Sequence, residues 1–279
     1  MAEQKPTVTQ DDIAAGLRRC GLRRGDKVLV HSSLSAFGRV EGGAQAVIRA
    51  LLAVLGAEGT LMMPTFSQGK VEVWDHDRTP SFNGRISETF RIMPGVRRSW
   101  HPTHAYAAIG PDATRYLEGD YRYVTWGPES PLGRLIADGG WVMLMGCGHG
   151  ASTAQHHGEV AGNVRCFGID TSPVLFYDQE GELTGAVAPS WRSGVCPWSA
   201  RDHERQLRYL GAVRDTYIGA AHVQLIKGEM VIKAVVRLVT GLTGIDHCAS
   251  CRQHPDTEMF ENYRRRYPAD KPSRGEPWR

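Results

Sequence analysis

Short apolar runs alternate with helical stretches along most of the chain. The apolar runs fall within residues 26–38, 59–66, 104–110, 139–148 and 172–178, and they predict buried strands. The segment "TQDDIAAGLRRCG" predicts a first helix capped by Thr9 and ended by Gly21. Further helices are predicted at residues 42–56, 84–92, 112–118, 131–138, 152–162, 201–213 and 230–242. This alternation predicts an α/β fold with a mostly parallel central sheet flanked by helices.

Length, composition and charge limit the possible domain organisation and ligands. A chain of 279 residues can bury a large core, which suggests one large domain or two small ones. Residues 246–279 are polar, charged and rich in proline, which predicts a tail. The net charge of +3 does not call for nucleic acid but suits a small polyanionic ligand. The polar start, the lack of a long apolar run and six cysteines with no secretion signal favour a cytoplasmic protein with reduced thiols.

The segment "GCGHGASTAQHHGEVAG" (146–162) follows the strand "WVMLMG" and carries the most chemistry. Its spacing Gly146-x-Gly148-x-x-Ala151 fits a loose dinucleotide-binding fingerprint. The position in mid-chain, the histidines that follow and the lack of a placed acidic ribose partner argue against it, because Asp170 falls in an apparent loop. The simpler interpretation is that the glycines form a tight turn, whichever ligand binds there.

His156, His157 and Glu159 lie on the helix that this turn opens. A histidine near a helix start, at the mouth of a sheet, is well placed to act as a general base. The alternative is a core or capping histidine. The sequence lacks three common catalytic or binding motifs: the zinc-protease spacing H-E-x-x-H, the serine-hydrolase elbow G-x-S-x-G and the P-loop motif.

Two further segments have binding chemistry. "HSSLSAFG" (31–38) follows a strand, and its hydroxyls and backbone N–H groups suit a phosphate or the amides of pantetheine, or else form an ordinary turn. "HCASCRQH" supplies possible zinc ligands at His247, Cys248, Cys251 and His254. The second ligand pair of a typical zinc site is missing, so the alternative is two free thiols in a surface loop.

Five blocks together resemble one family. "VLVHSSLSAFG", "GTLMMPTFS", "RRSWHPTHAYAAIGPDA", "GPESPLGRL" and "VMLMGCGHGASTAQHHGE" occur in the order typical of the aminoglycoside 3-N-acetyltransferases, the antibiotic N-acetyltransferases. The resemblance covers about residues 8–245 and is strongest to the branch that acetylates apramycin and gentamicin. It implies the α/β fold of that family and a domain, over residues 1–245, that transfers acetyl from acetyl-CoA to an amine without a covalent enzyme intermediate.

The resemblance also implies roles for particular residues. The family's T-x-x-H-x-x-E block falls on Thr153, His156 and Glu159, which makes His156 the catalytic base. It further implies that coenzyme A is bound by a set of residues in two of the blocks, which are His31, Ser32, Ser33, Leu34 and Ser130. A homodimer, an aminoglycoside acceptor and antibiotic resistance are expected on the same basis.

The acidic partner of the base is where the sequence departs from the family. Direct counting places Ser190 and Arg192 where acids are expected. If "PSWRSGVCPW" is an insertion, Asp202 or Glu204 takes the role; Asp202 is preferred, and Glu159 is the fallback. The altered segment also holds Trp191 and Trp198, which leaves open an acceptor from natural-product biosynthesis. A third reading is a zinc-stabilised binding protein without activity.

Overall fold

The structure, a computed structural model, describes residues 7–68, 70–119, 126–162, 168–190 and 200–239. The strands in chain order are β1 Thr7–Val8, β2 Lys27–Ser32, β3 Arg39–Val40, β4 Thr60–Pro64, β5 Val73–Trp74, β6 Arg97–Arg98, β7 Tyr106–Ile109, β8 Trp141–Met145, β9 Gly168–Tyr177, β10 Leu183–Ser190, β11 Val213–Ile218 and β12 Ala221–Lys227. The α-helices are α1 Gln10–Cys20, α2 Gly43–Leu55, α3 Arg85–Arg91, α4 Ala113–Leu117, α5 Pro131–Ala137, α6 Ala154–Ala161, α7 Ala200–Tyr209 and α8 Gly228–Val239. Short 3₁₀ segments lie at Leu34–Phe37 and His149–Ala151.

The main sheet has seven strands in the order β11-β12-β8-β2-β4-β7-β6. Its centre is parallel, because β2 pairs in parallel with both β8 and β4. The outer pairs are antiparallel: β12 with β8, β11 with β12, β4 with β7, and β7 with β6. The predicted α/β fold is therefore confirmed, but the sheet is mixed rather than mostly parallel. One cause is the two-residue turn between Ile218 and Ala221, since so short a connection can only join antiparallel strands.

Helices cover both faces of the main sheet. Side chains alternate along β2, so Val28 and Val30 join the core under α1, α2 and α3, while Leu29 joins the core under α4, α5, α6, α7 and α8. His31 follows Leu29 by two positions and therefore lies on the second face, the side of α6. This three-layer arrangement places the carboxyl ends of β2 and β8 beside the start of α6.

The helix predictions are largely confirmed. Thr9 caps α1 through a capping box with Asp12, and Gly21 ends it with a left-handed φ of 104°. The remaining predicted helices correspond to α2 through α8 within a few residues, except that α7 ends at Tyr209 because β11 begins at Val213. The β11–β12 hairpin was not predicted from the sequence.

Two smaller sheets complete the described part. β1 and β3 form a parallel pair. β10, β9 and β5 form a three-stranded sheet, whose Trp74 and Phe176 pack in one cluster with Ala105, the residue before β7. The predicted strand at 172–178 is confirmed within β9, which begins earlier, at Gly168. None of the helices in the described ranges has both the length and the apolar character needed to cross a bilayer.

Candidate active site

The candidate site lies beyond the carboxyl ends of β2 and β8, where ligands bind in open α/β sheets. β8 leads through Gly146, whose φ is 69°, into the 3₁₀ segment and then α6. A Cβ at Gly146 would collide with Ala36 of the segment after β2, so only glycine allows this close approach. The prediction of a tight glycine turn is thus confirmed.

His156 and Glu159 form a hydrogen-bonded pair on α6. They are three residues apart, so they share one helix face, and His156 Nδ1 lies 2.8 Å from Glu159 Oε2. The side chain of Glu159 is fully buried, whereas that of His156 is 18% exposed. Because the carboxylate holds a proton on Nδ1, Nε2 carries the lone pair that a general base requires.

A second hydrogen-bonded set anchors the start of α6. The Tyr106 hydroxyl donates to Thr153 Oγ1 over 3.2 Å, and Thr153 Oγ1 lies 3.3 Å from His31 Nε2. The Thr153 hydroxyl can therefore donate its own proton to His31 Nε2, and the His31 imidazole must be neutral to accept that hydrogen bond. Burial, with His156 nearby, lowers the pKa of His31 to about 3, so this ring stays neutral at physiological pH.

Aromatic side chains form one wall beside His156. The Trp126 ring lies 5.2 Å from that of His156, and the His104 ring lies 4.9 Å from Trp126. The His157 ring is held by the Trp126 carbonyl at 2.5 Å, and burial lowers its pKa. His157 therefore orders the wall rather than competing with His156 as the base. Sequence reasoning missed the roles of His104, Tyr106 and Trp126, although "HPTHAYAA" showed an unusual density of histidine and aromatic residues.

The residues expected to bind coenzyme A fall into two groups. Ser32 and Ser33 end β2 and open the 3₁₀ segment. The Ser32 hydroxyl is buried with no hydrogen-bond partner in the described part of the chain, and the Ser33 hydroxyl lies 3.2 Å from that of Ser35. Leu34 packs partly into the core. The Ser130 hydroxyl is engaged in capping α5, since it accepts from Gly133 N and donates to the Gly127 carbonyl.

The acidic candidates occupy different surroundings. Asp202 lies in the first turn of α7, 24% exposed, with its carboxylate 3.7 Å from Arg205. Glu204 accepts from Gln224 and Arg208. Of the three acids, Glu159 is the one with a described contact to His156. The geometry therefore favours Glu159 over Asp202 as the partner of His156. Arg192, Trp191 and Trp198 lie outside the described residues, and Ser190 ends β10.

Two other readings of the sequence find no support. Asp170 lies in β9 of the small sheet rather than in a loop, and β9 does not continue the main sheet, so no dinucleotide fold surrounds Gly146. Among the described residues, no group of three or more histidine, cysteine, aspartate or glutamate side chains could hold a metal ion. His247, Cys248, Cys251 and His254 lie outside the described residues, so a zinc site there stays a prediction.

Comparison with known proteins identifies the family. The model of the family described as aminoglycoside 3-N-acetyltransferase matches residues 29–240. Aminoglycoside N(3)-acetyltransferase IX of Micromonospora chalcea is 32% identical and aligns over 83% of this chain and 93% of its own. Aminoglycoside N(3)-acetyltransferase VII of Streptomyces paromomycinus is 33% identical, over 81% and 89%. Resemblance to the apramycin and gentamicin branch in particular stays a prediction.

Solved structures of aminoglycoside acetyltransferases superpose on this fold. The aminoglycoside acetyltransferase AAC(3)-Xa superposes with a TM-score of 0.76 at 28% identity, covering 84% of this chain and 93% of its own. A histidine-to-alanine mutant of AAC(3)-IVa in complex with a gentamicin superposes with a TM-score of 0.77 at 27% identity, covering 91% of this chain and all of its own. The chain belongs to the aminoglycoside 3-N-acetyltransferase family.

Proposed function

We propose that this enzyme acetylates the 3-amino group of an aminoglycoside and so confers resistance, with His156 as the general base. The observation that carries the proposal is the His156–Glu159 pair, whose carboxylate is fully buried behind the imidazole. The gentamicin bound to the related AAC(3)-IVa mutant and the sisomicin bound to AAC-VIa, which is 27% identical, support the acceptor class. A cytoplasmic homodimer is proposed from family resemblance.

The reaction needs a base because the acceptor amine is protonated in water. After the ammonium loses its proton, the amine nitrogen attacks the thioester carbon. His156 Nε2 takes a proton from the attacking nitrogen, the C–S bond breaks, and the thiolate of coenzyme A receives a proton as it leaves. One proton is released in total for each ammonium acetylated. General base catalysis of this kind contributes about 10²–10⁴ in rate.

Glu159 supports the base in two ways. Its carboxylate fixes the Nδ1–H tautomer, and it stabilises the imidazolium that forms when Nε2 is protonated. Because the charge of Glu159 is buried, its pairing with that imidazolium is little weakened by solvent. Asp202, at the start of α7, is proposed to contact the polycationic acceptor, since carboxylates bind ammonium groups through charge-assisted hydrogen bonds.

The thiol beside the glycine turn does not suit a covalent mechanism. Cys147 follows directly after Gly146, and burial raises the pKa of its thiol to about 11. At neutral pH the side chain is therefore a thiol rather than the thiolate that attacks acyl groups. This supports direct transfer of acetyl from coenzyme A to the amine.

The serine segment after β2 fits the acetyl donor. The buried Ser32 hydroxyl has an unused donor and acceptor, and Ser33 and Ser35 present two more hydroxyls beside it. A Cβ at Gly148, on the facing turn, would meet no atom of the described residues within 4 Å, so those residues leave open space above that turn. These hydroxyls would hold the amides of the pantetheine arm.

Thiol release from acetyl-CoA, measured against a panel of aminoglycosides, tests the function. We expect wild-type turnover, a loss of about 10²–10⁴ in kcat for His156→Ala, and nearly unchanged affinity for coenzyme A. Glu159→Gln keeps the shape of the side chain but removes the negative charge, so kcat should fall by orders of magnitude as well.

Asp202→Asn is the matched comparison for Glu159→Gln. We expect it to raise KM for the aminoglycoside more than it lowers kcat. A large loss of kcat in Asp202→Asn with near wild-type Glu159→Gln would transfer the orienting role to Asp202. Coenzyme A binding without turnover on any aminoglycoside would overturn the proposed acceptor.

A further inference from the structure

The β11–β12 hairpin presents an aromatic pair to solvent at the end of the sheet where the site lies. Tyr217 and His222 are directly opposite each other in the hairpin, and their rings stack with centroids 5.0 Å apart and planes 27° apart. Tyr217 is 65% exposed. A tyrosine this exposed contributes little to a core, so its ring is available to a flat ligand.

The hairpin is joined to the segments that form the proposed donor site. Ala220 N donates to the Phe37 carbonyl over 3.2 Å, at the end of the serine segment. Gly146 N donates to the His222 carbonyl over 2.8 Å, at the glycine turn. A Cβ at Gly219 would collide with the Phe37 carbonyl, so glycine is what lets the hairpin approach this closely. The stacked pair is thus fixed relative to Ser33 and Gly146.

The spacing suits a long, flexible ligand. β11 and β2 are separated by β12 and β8, so three strand spacings of about 4.8 Å place them roughly 14 Å apart. An extended pantetheine arm can span this distance from the thioester to the nucleotide end of coenzyme A.

We propose that Tyr217, backed by His222, is the platform on which the adenine ring of the acetyl donor stacks. The inference rests on the proposed use of acetyl-CoA at this site. Stacking on an aromatic side chain suits adenine because every base has a flat π-face. The ring pair would hold the nucleotide end while the serine hydroxyls hold the arm.

The charges near the pair are mixed. Glu204 and Asp215 share one cation, Arg208, at 2.9 Å, and the Asp215 carboxylate also lies 3.6 Å from His222 Nε2. Arg39, which is exposed, comes two residues after Phe37 and adds a cation at the end of the serine segment. The adenine ring is uncharged, so these mixed charges do not oppose its stacking on Tyr217.

The test compares acetyl-CoA with acetyl-pantetheine, which has the same thioester but no nucleotide. We expect Tyr217→Ala to raise KM for acetyl-CoA about tenfold, the loss typical when one ring under a base is removed. KM for acetyl-pantetheine and kcat with either donor should stay within about twofold of wild type. Tyr217→Phe keeps the ring and should retain the wild-type KM.

Tyr209→Ala is the matched control, because Tyr209 is 75% exposed but lies at the end of α7, away from the hairpin. It should leave both donors unaffected. Equal effects of Tyr217→Ala on both donors, no effect on either, or a rise only in KM for the aminoglycoside would each overturn the proposal. If wild-type protein turns over neither donor, the proposed function fails rather than the platform.

Discussion

At the residue scale, the site combines one accessible imidazole with several buried ones. His156 is partly exposed, whereas burial lowers the pKa of His31 and of His203 to about 3. In the unfolded chain these rings recover a pKa near 6.5. A group whose folded pKa lies below its unfolded value stabilises the fold fully above the unfolded pKa, and the contribution is lost as pH falls below it.

The free energy of unfolding should therefore decrease between pH 7 and pH 5, and each such histidine should contribute on the order of 2 kcal/mol to that loss. Urea denaturation of wild type and of His203→Gln, at both pH values, measures this contribution. Glutamine does not titrate, so the variant should lose less stability between the two pH values than wild type does. Equal losses would show that His203 is not held neutral by burial.

The sequence indicated that His156 and Glu159 share a helix face, but it did not indicate what surrounds them. His156 and Glu159 were found because their spacing of three is a local property that a helix turns into contact. Which acid serves the base could not be decided, because Asp202, Glu204 and Glu159 differ in burial and burial depends on the whole fold. The contact between His31 and Thr153 joins residues 122 positions apart and left no local signal.

At the element scale, the position of α6 is set by its close approach to α8. Gly158 lies on the buried side of α6, where a Cβ would come within 2.6 Å of the Val235 Cβ. Glu159 directly follows Gly158 and His156 precedes it by two residues, so any displacement of α6 from α8 also moves the proposed base.

Gly158→Leu should push α6 away from α8 and cost roughly 1–3 kcal/mol of stability through overpacking. It should also lower kcat by at least about tenfold, because misplacing a catalytic group by about an ångström is costly. Thermal denaturation and thiol release measure the two effects. Ala161→Leu, at an exposed position of the same helix, is the control and should change neither. Wild-type activity in Gly158→Leu would mean that this contact does not position the base.

The strands illustrate what local patterns can and cannot reveal. The apolar runs identified β2, β4, β7 and β8, which are largely buried in the main sheet. The β11–β12 hairpin was missed because β11 has alternating exposure and few apolar residues, and because its turn uses Gly219 without a neighbouring asparagine or aspartate. That omission made the sheet look more parallel than it is.

At the scale of the whole molecule, the candidate active site and a network of ion pairs lie at opposite ends of the main sheet. The amino end of β2 carries Lys27, whose ammonium lies 3.3 Å from both Asp112 and Asp138. Arg115 also pairs with both carboxylates, and the Tyr116 hydroxyl donates to Asp138 over 2.7 Å. These partners, Arg115 first, lower the pKa of Asp138 below its usual value.

Asp138→Asn should cost about 1 kcal/mol at pH 7, because a partly exposed ion-pair network is screened by solvent. The pKa of Asp138 is depressed in the folded state, so its contribution is present above the unfolded value near 3.9 and is lost as pH falls toward the folded value. Urea denaturation at pH 7 measures the cost, and kcat per folded molecule should stay at the wild-type value. A fall in kcat would show that this end of the sheet communicates with the site.

The central position of β2 also governs when the enzyme becomes active during its synthesis. β2 lies between β4, made soon afterwards, and β8, which the ribosome adds more than a hundred residues later. The contact of His31 with Thr153 cannot form until that later segment has emerged. Contacts so distant along the chain slow folding, since a long loop must close before they stabilise anything. A nascent chain that stops before α6 therefore exposes an incomplete sheet and lacks His156, so the proposed activity can arise only in chains finished through β8 and α6.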